Sequence, residues 1–312
     1  MSSKFIHLHT HSHYSLLNAL PKIDELVKAA KKYDMPALAL TDNANLYGVI
    51  EFYKACKKAE INPIIGVDAY VAVRKRQDKQ AGVDNRRSRL VLLAKNIDGY
   101  KNLIKLVTEA NLDGFYYKPR IDKELIEKYH DGLICISPSF SGAVSQALKN
   151  LDVNGAKELL VWYKNVYEKE NVFLEITHHP EIEGHEQLME KIIALGKETE
   201  TSLVAAQDVY YINPEDKKAR ETLMLVQSNS DSIKNEDEGD FSFISPEQAE
   251  KLFQKTPEAV ENTIKIANMC NLNLELGKWV FPDYKVESGL TYDKELERLV
   301  YEGIEKRKDK PQ

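Results

Sequence analysis

The strongest constraint on the fold is a regular alternation of strand-like and helical segments over the first two thirds of the chain. Short apolar stretches alternate with longer stretches whose apolar residues recur at helical spacing. The predicted strands are residues 5–13, 36–40, 62–68, 90–94, 133–137, 172–177 and 203–206, and the predicted helices between them lie near residues 23–30, 46–53, 98–110, 154–167 and 183–197. Strands separated by helices favour a parallel sheet, and no dinucleotide fingerprint is present, so we expect a (β/α)7 TIM-like barrel of the α/β class.

Beyond about residue 245 the alternation gives way to helices alone. Ser245-Pro246 and Thr256-Pro257 each combine an N-cap residue with the proline favoured in a first helical turn. A last helical stripe comprises Leu296, Leu299, Val300 and Ile304. The predicted organisation is a barrel domain at residues 1–245 and a helical extension at 246–312. Because little chain remains to bury the last stripe, we expect a part of a longer polypeptide.

Composition excludes several classes of protein. With 312 residues, 43% of them hydrophobic, the chain can bury a substantial core, and its net charge of −6 argues against a protein that coats nucleic acid. No apolar run approaches the roughly 18–20 residues that span a bilayer, and the first residues lack the apolar core of a signal peptide. Cys56, Cys135 and Cys270 are too far apart to suggest a disulfide framework or a zinc knuckle. We therefore expect a cytoplasmic protein with no membrane partner.

The first predicted strand carries four alternating histidines, His7, His9, His11 and His13. Side chains two residues apart share one face of a strand, and two imidazoles on one face can bind a single Zn, Mn or Fe ion. The alternative is a surface strand, or a core strand whose histidines are hydrogen-bonded. Four histidines in alternation favour the metal site.

Further polar residues follow the predicted strands. They are Asp42, Asp68, Ser137, Ser139 and Asp208. In a barrel of parallel strands the carboxyl ends converge on one mouth, where the sites of this architecture lie. We therefore expect these residues to lie close to the histidines.

Residues 74–89 interrupt the pattern. This stretch holds seven basic and two acidic residues without apolar periodicity. It predicts a mobile basic loop, and a solvated loop is favoured over a contact with the phosphates of DNA.

Ordered motifs along the chain carry a specific resemblance. They include His-Leu-His-Thr-His-Ser (7–12), Ala-Leu-Thr-Asp (39–42), Asn-Leu-Tyr-Gly-Val-Ile-Glu-Phe-Tyr (45–53), Pro-Ile-Ile-Gly-Val-Asp-Ala-Tyr-Val (63–71) and Gly-Phe-Tyr-Tyr-Lys-Pro-Arg-Ile-Asp (114–122). Together they resemble the PHP (polymerase and histidinol phosphatase) domain, most closely the version at the N-terminus of bacterial DNA polymerase III alpha subunits. The resemblance implies a distorted seven-stranded barrel and a site for up to three metal ions that cleaves phosphoester bonds.

The resemblance also implies metal ligands. His9 and His11 match the paired histidines of the family, Asp208 matches its late aspartate, and Asp68 stands where the family usually has glutamate. By the family's pattern these four residues share one metal position. The implied cofactor is at most one divalent ion, Zn, Mn or Mg, or no ion.

Other ligand positions depart from the family. Asn18 replaces an acidic residue, Ser139 replaces Cys or His, and Asn43, Arg89 and Tyr210 each replace His. Asn, Ser and protonated Tyr are weak ligands, whereas Arg is a permanent cation that opposes a nearby metal. An alternative use of Arg89 is to pair with an aspartate of the site in place of an ion.

Two main functions compete. The favoured one is a PHP domain of a replicative polymerase alpha subunit with a degenerate site and a structural role, in contact with the rest of the polymerase chain and a proofreading exonuclease subunit, and reaching DNA indirectly. The alternative is an active metal-dependent phosphoesterase or 3′–5′ exonuclease. A free-standing histidinol-phosphatase-like enzyme is more distant. No catalytic residue is assigned, because the resemblance places the polymerase palm domain after residue 312.

Overall fold

The computed structural model describes residues 5–228, 239–279, 281–282, 284–286 and 289–308. The chain divides into two compact units, Met1–Asn273 and Leu274–Gln312. This division differs from the predicted boundary at residue 245. Residues Ile266, Ala267 and Cys270 explain the difference, because they pack in the core of the first unit.

The first unit is an α/β fold whose sheet curls into a half-barrel. The strands are β1 (Ala37–Leu40), β2 (Asn62–Ala72), β3 (Arg87–Ala94), β4 (Arg120–Ile121), β5 (Leu133–Ser137), β6 (Val172–Ile176) and β7 (Ser202–Ala205). Their order in the sheet is β1-β2-β3-β5-β6-β7, with β4 paired to β2. The short strand β4 was not predicted from the sequence.

The expectation of a mainly parallel sheet does not hold at β3. This strand runs antiparallel to both of its neighbours, and Val91 lies opposite Asp68 of β2 and Ile136 of β5. The connection between β2 and β3 contains no helix. Antiparallel strands can be joined without a crossover helix, whereas parallel neighbours need one, so this connection reverses the chain.

Residues 5–13 do not form a regular strand, which corrects the first predicted element. Thr10 makes an isolated parallel bridge with Val209. The amide of Ala39 in β1 donates to the carbonyl of His7 at 3.0 Å, and the amide of Val209 donates to the carbonyl of His9 at 3.0 Å. The segment therefore lies between β1 and the chain that follows β7.

Helices flank the sheet of the first unit. They are α1 (Ile23–Lys32), α2 (Val49–Ala59), α3 (Ile97–Leu112), α4 (Lys123–Lys128), α5 (Ala143–Lys149), α6 (Val153–Tyr167), α7 (His185–Glu198), α8 (Lys217–Ser228), α9 (Pro246–Leu252) and α10 (Pro257–Met269), with short 3-10 turns at Lys169–Asn171 and Pro214–Asp216. The second unit contains α11 (Tyr292–Lys308). The predicted cap of α9 is present, since the Ser245 hydroxyl accepts from the Gln248 amide at 3.2 Å.

The interior of the sheet is apolar. Ile6 and Leu8 are buried in one cluster with Ile64 of β2, Val91 of β3 and Phe173 of β6. Burying side chains of this kind contributes about 1.5–3 kcal/mol each. This packing fixes the segment that carries the histidines.

The basic segment before β3 is held by specific contacts. Arg74 Nε donates to Asp84 at 2.9 Å, and Arg76 Nη1 lies 3.1 Å from Asp122. The fully buried Arg120 donates three further hydrogen bonds of 2.7–2.9 Å to backbone carbonyls of residues 76, 78 and 84. Residues 77–86 are nevertheless mostly exposed, in agreement with the prediction of a solvated loop. The contacts at Arg76 and Asp84 were not predicted, because apolar periodicity does not register ion pairs and buried hydrogen bonds.

Candidate metal centre

Two of the predicted histidines and a late aspartate meet inside the first unit. His9 and His11 are buried, and their Nε2 atoms lie 3.3 and 2.9 Å from Oδ1 of Asp208. Asp208 has a φ of 54°, a left-handed conformation that few residues other than glycine adopt. One ligand atom from each of the three residues lies within 4.8 Å of the others, so this group can hold a metal ion.

Asp68 joins the same group from β2. Its side chain is fully buried, and Oδ2 lies 3.9 Å from Nε2 of His9 and 4.0 Å from Nε2 of His11. Nδ2 of Asn43 donates to the same oxygen at 2.8 Å. The structure thus brings together all four predicted ligand residues.

Arg89 occupies the centre of this group. Its Nε donates to Oδ2 of Asp68 at 2.6 Å, and its Nη1 donates to Oδ2 of Asp208 at 3.2 Å. Its Nη2 lies 3.1 Å from Nε2 of His9 and 3.4 Å from Nε2 of His11. One guanidinium therefore contacts every predicted ligand residue.

The charges of the site are strongly coupled. Burial, the largest single influence, would raise the pKa of Asp68 and of Asp208, but the Arg89 guanidinium together with His9 and His11 outweighs it and lowers the pKa of both, that of Asp208 well below its usual range. Burial opposes protonation of His9 too, yet the carboxylates of Asp208 and Glu175 raise its pKa to about 10. For His11 burial dominates and lowers the pKa.

These residues do not fit a metal ion while Arg89 keeps its position. A histidine binds a metal through an unprotonated nitrogen about 2 Å from the ion. The Arg89 Nη2 already lies 3.1 Å from that nitrogen of His9. An ion at this point would be in contact with another cation, and His9 would also have to lose its proton.

The substituted family positions lie around the same group. Asn18 donates to Oδ1 of Asn43 at 2.7 Å, which continues the hydrogen bonds from Asp68. The ring of Tyr210 stacks on His11 with 4.3 Å between centroids. Ser139 is linked to the group through Glu175, because its amide and hydroxyl both donate to that carboxylate at 3.0 Å.

Glu175 is a site residue that the sequence reasoning missed. It is buried in β6, and its Oε2 lies 2.6 Å from Nδ1 of His9. The available signal was chemical, because Glu175 is the single charged residue of the otherwise apolar β6. A buried carboxylate requires a partner.

His7 does not belong to the site, although the strand prediction placed it on the same face. Its Nε2 lies 2.9 Å from the carbonyl of Ile244, and its ring packs against Phe243. Burial lowers the pKa of His7 to about 4, so the ring is neutral. His7 is a hydrogen-bonded core histidine, which was the alternative interpretation of the four alternating histidines.

The sequence pattern of the PHP domain matches residues 7–179, which is more than half of the chain. The chain belongs to the PHP family. It is 39% identical over 310 residues to DNA polymerase III subunit alpha of Borreliella burgdorferi, an alignment that covers 97% of this chain and 27% of that protein. The same subunit of Aquifex aeolicus is 35% identical over 332 residues, with 100% and 28% covered.

This PHP domain is thus homologous to the N-terminal region of DNA polymerase III subunit alpha, and it spans about a quarter of the length of these relatives. An amidohydrolase from Chromobacterium violaceum aligns with a TM-score of 0.47 and 12% identity over 66% of this chain and 87% of that one, a likeness too low to carry an argument. Within the described ranges, no helix has the length and apolarity needed to cross a membrane.

Proposed function

We propose that this PHP domain has a structural and protein-binding role in a DNA polymerase III alpha subunit, and that Arg89 replaces the metal of its site. One observation carries the proposal: the Arg89 guanidinium hydrogen-bonds both Asp68 and Asp208. A buried pair of carboxylates needs a cation, and the arginine supplies it from within the chain.

The chemistry of arginine supports a loss of hydrolysis. Metal-dependent phosphoesterases use the ion to lower the pKa of a bound water and to stabilise the leaving oxygen. A guanidinium can stabilise phosphate charge but cannot activate a water in this way. The domain therefore binds no catalytic ion while Arg89 is in place, and it lacks a nucleophile.

A closed barrel is part of the proposal. The hydrogen bonds of residues 7–11 with Ala39 and Val209 support an additional strand position between β1 and the chain that follows β7. A closed barrel would give a rigid surface for the rest of the polymerase chain and for a proofreading exonuclease subunit. DNA is then reached through the polymerase, in the cytoplasm, and the chain after residue 273 leads towards the polymerase domains.

A second candidate function is a metal-dependent phosphoesterase or 3′–5′ exonuclease. It is favoured by the group of His9, His11 and Asp208, whose ligand atoms lie within 4.8 Å of one another. Oδ1 of Asp68 is buried and has no hydrogen-bond partner among the described residues, so it offers a further ligand atom. This function requires Arg89 to leave the group.

A matched pair of proteins separates the two functions. The unchanged chain and the double variant His9→Ala/Asp208→Ala are assayed with Mn and Zn on a phosphodiester reporter and on a labelled DNA primer. We expect equal background rates, because neither protein holds an activated water. Turnover that disappears in the double variant would establish the hydrolase instead.

A gain-of-function variant makes the same test in the opposite direction. Asn43→His, Arg89→His, Tyr210→His and Asp68→Glu together restore family ligands. If the barrel is intact, we expect hydrolysis with Mn to rise above that of the unchanged chain. No gain despite bound metal would show that replacement of these ligands is not what removed the activity.

A further inference from the structure

A groove lies between the end of β2 and the helices α4, α5 and α6. It encloses a cavity of about 690 Å³ and is bordered by residues 71–75, by the start of α4, and by α5 and α6. None of the four predicted metal ligands is among the described residues that line it. This β2–α6 groove is therefore separate from the metal centre.

The walls of the β2–α6 groove are largely apolar. Ala143 and Ala147 are four residues apart on α5, and Leu159 and Trp162 are three residues apart on α6, so each pair shares one helix face. Val73 follows the last residue of β2 and is 56% exposed. A concave apolar surface in contact with water gains free energy when another apolar group covers it. These walls therefore favour a ligand with an apolar side chain.

Trp162 is held in place by two neighbours. Its Nε1 donates to Oε1 of Glu127 at 2.8 Å, and Nζ of Lys123 lies 4.9 Å from the centre of its ring. A tryptophan that is already fixed loses little conformational freedom when a partner covers it. This is one reason why tryptophan is frequent at the centre of protein interfaces.

The charges around the groove are not balanced. Its two carboxylates, Asp122 and Glu124, lie 3.1 and 3.0 Å from Nη1 of Arg76. Lys75 and Lys123 are exposed, and among the described residues neither forms an ion pair with a carboxylate. The acidic side chains of the groove thus already have a cation, whereas two of its cations lack an anion.

We propose that the β2–α6 groove binds an acidic peptide segment of a partner protein. An apolar side chain of the segment fills the cavity beside Val73 and Trp162, and flanking carboxylates pair with Lys75 and Lys123. The inference rests on the protein-binding part of the proposed function, to which it adds the surface and the chemistry of the partner.

Nucleic acid fits this groove less well than a peptide does. Single strands bind by stacking their bases on free aromatic faces. Of the two aromatic residues among the described lining, Tyr163 is buried, and Lys123 lies over the ring of Trp162. The other apolar side chains of the walls are aliphatic and offer no stacking face. The anion that matches this surface is therefore the carboxylate of a peptide.

A displayed library of random 12-residue peptides tests the proposal without a known partner. It is selected in EDTA and low salt against the 312-residue chain, against Val73→Asp and against Val226→Asp. The last variant is the matched control, because it changes a valine of similar exposure, 68%, on α8. We expect the unchanged chain and the control to enrich the same peptides, in which Asp and Glu flank Leu, Phe or Trp. Val73→Asp should not retain them, because it places a charge in the apolar wall.

One enriched peptide is then measured by fluorescence anisotropy. Val73→Asp should weaken its binding at least about tenfold. Lys75→Gln/Lys123→Gln should weaken it about fivefold in low salt and much less in high salt, where exposed charges are screened. Lys54→Gln/Lys191→Gln changes two other exposed lysines and should bind like the unchanged chain. Urea denaturation checks that every variant remains folded.

Three results would overturn the proposal. They are enriched peptides without an excess of acidic residues or no enrichment at all, equal binding of the enriched peptide by Val73→Asp, and tighter binding of a thymidine 12-mer that Val73→Asp weakens. These results are independent of the hydrolysis assay, because EDTA is present and no substituted residue belongs to the group around Arg89. Failure of the peptide test would therefore leave the replacement of the metal by Arg89 untouched.

Discussion

Two arginines of the first unit, one half-buried and one buried, keep their charge in different ways. Arg89, with a side chain 13% exposed, is paired with the carboxylates of Asp68 and Asp208. Arg120 is fully buried and donates four hydrogen bonds, all to backbone carbonyls, including that of Gly114 at 3.0 Å. Arg89 neutralises the carboxylates of its site, whereas Arg120 anchors the basic segment to the sheet.

Because their partners differ, removal of each arginine leaves different groups unpaired. Without Arg89, two carboxylates remain, and a proton or a metal ion can compensate them. Without Arg120, neutral carbonyls remain, and only water or another donor can satisfy them. Added metal should therefore stabilise a variant that lacks Arg89 but not a variant that lacks Arg120.

The largest effect is expected at Arg120. Arg120→Met should lower the free energy of unfolding by about 4 kcal/mol, because four carbonyls each lose a hydrogen bond worth about 1 kcal/mol. Urea denaturation measures this change. The exposed Arg86→Met is the control and should change stability by less than about 0.5 kcal/mol. A loss below about 1 kcal/mol at Arg120 would contradict the role of this residue as a tie between loop and sheet.

Arg89→Met should cost somewhat less, about 3 kcal/mol in EDTA, since it leaves two buried carboxylates but protons can bind to them. Added Zn or Mn should restore part of the loss, because the vacated centre then fits an ion. The same metals should leave Arg120→Met unchanged. Equal changes in the free energy of unfolding of the two variants on addition of metal would contradict the proposed difference between the two arginines.

The pH dependence of stability offers a third comparison. The pKa of His9 is about 10 in the folded chain and about 6.5 in an unfolded one. The stability from this proton is complete below pH 6.5 and is lost as the pH rises towards 10. Between pH 7 and pH 9 we expect the free energy of unfolding to fall by about 2–3 kcal/mol.

His9→Gln is the control for this prediction, since Gln keeps hydrogen-bonding groups but does not titrate. Urea denaturation at several pH values should give a flatter profile for the variant than for the unchanged chain. Profiles of the same slope would show that another group is responsible.

The smallest effect is expected at the rim of the Arg120 region. Glu124 lies 3.0 Å from Arg76, but its side chain is 69% exposed. Exposed ion pairs contribute about 0–1 kcal/mol, so Glu124→Gln should change the midpoint of urea denaturation very little. A loss as large as that of Arg120→Met would mean that surface charge, rather than the buried arginine, holds the segment.

The sequence predicted some elements well because their signals are local. The apolar run at residues 133–137 is β5 itself. The direction of β3 was missed, because the alternation of side chains along a strand is the same in parallel and antiparallel sheets. The available signal was the lack of a helical pattern at residues 74–89, since parallel neighbours need a crossover helix. The irregular structure of the histidine segment was also missed, because its hydrogen bonds are made with residues about 30 and 200 positions away in the sequence.

The site shows the same limit. The metal-ligand positions of the family identified His9, His11, Asp68 and Asp208 as one group. Glu175 was missed because it lies in a strand with no motif around it. The role of Arg120 depends on carbonyls up to 44 residues away. Contacts of this kind follow from the folded chain and not from local spacing.

The most direct measurement of the central claim is metal content. The chain and its Arg89→Ala variant are dialysed against Zn or Mn, passed through a desalting column and analysed by inductively coupled plasma mass spectrometry. We predict far less than one ion per unchanged chain and about one ion per variant chain, because removal of the guanidinium frees the group of His9, His11 and Asp208. One or more ions bound tightly by the unchanged chain, and lost in His9→Ala/Asp208→Ala, would contradict the replacement of the metal by Arg89.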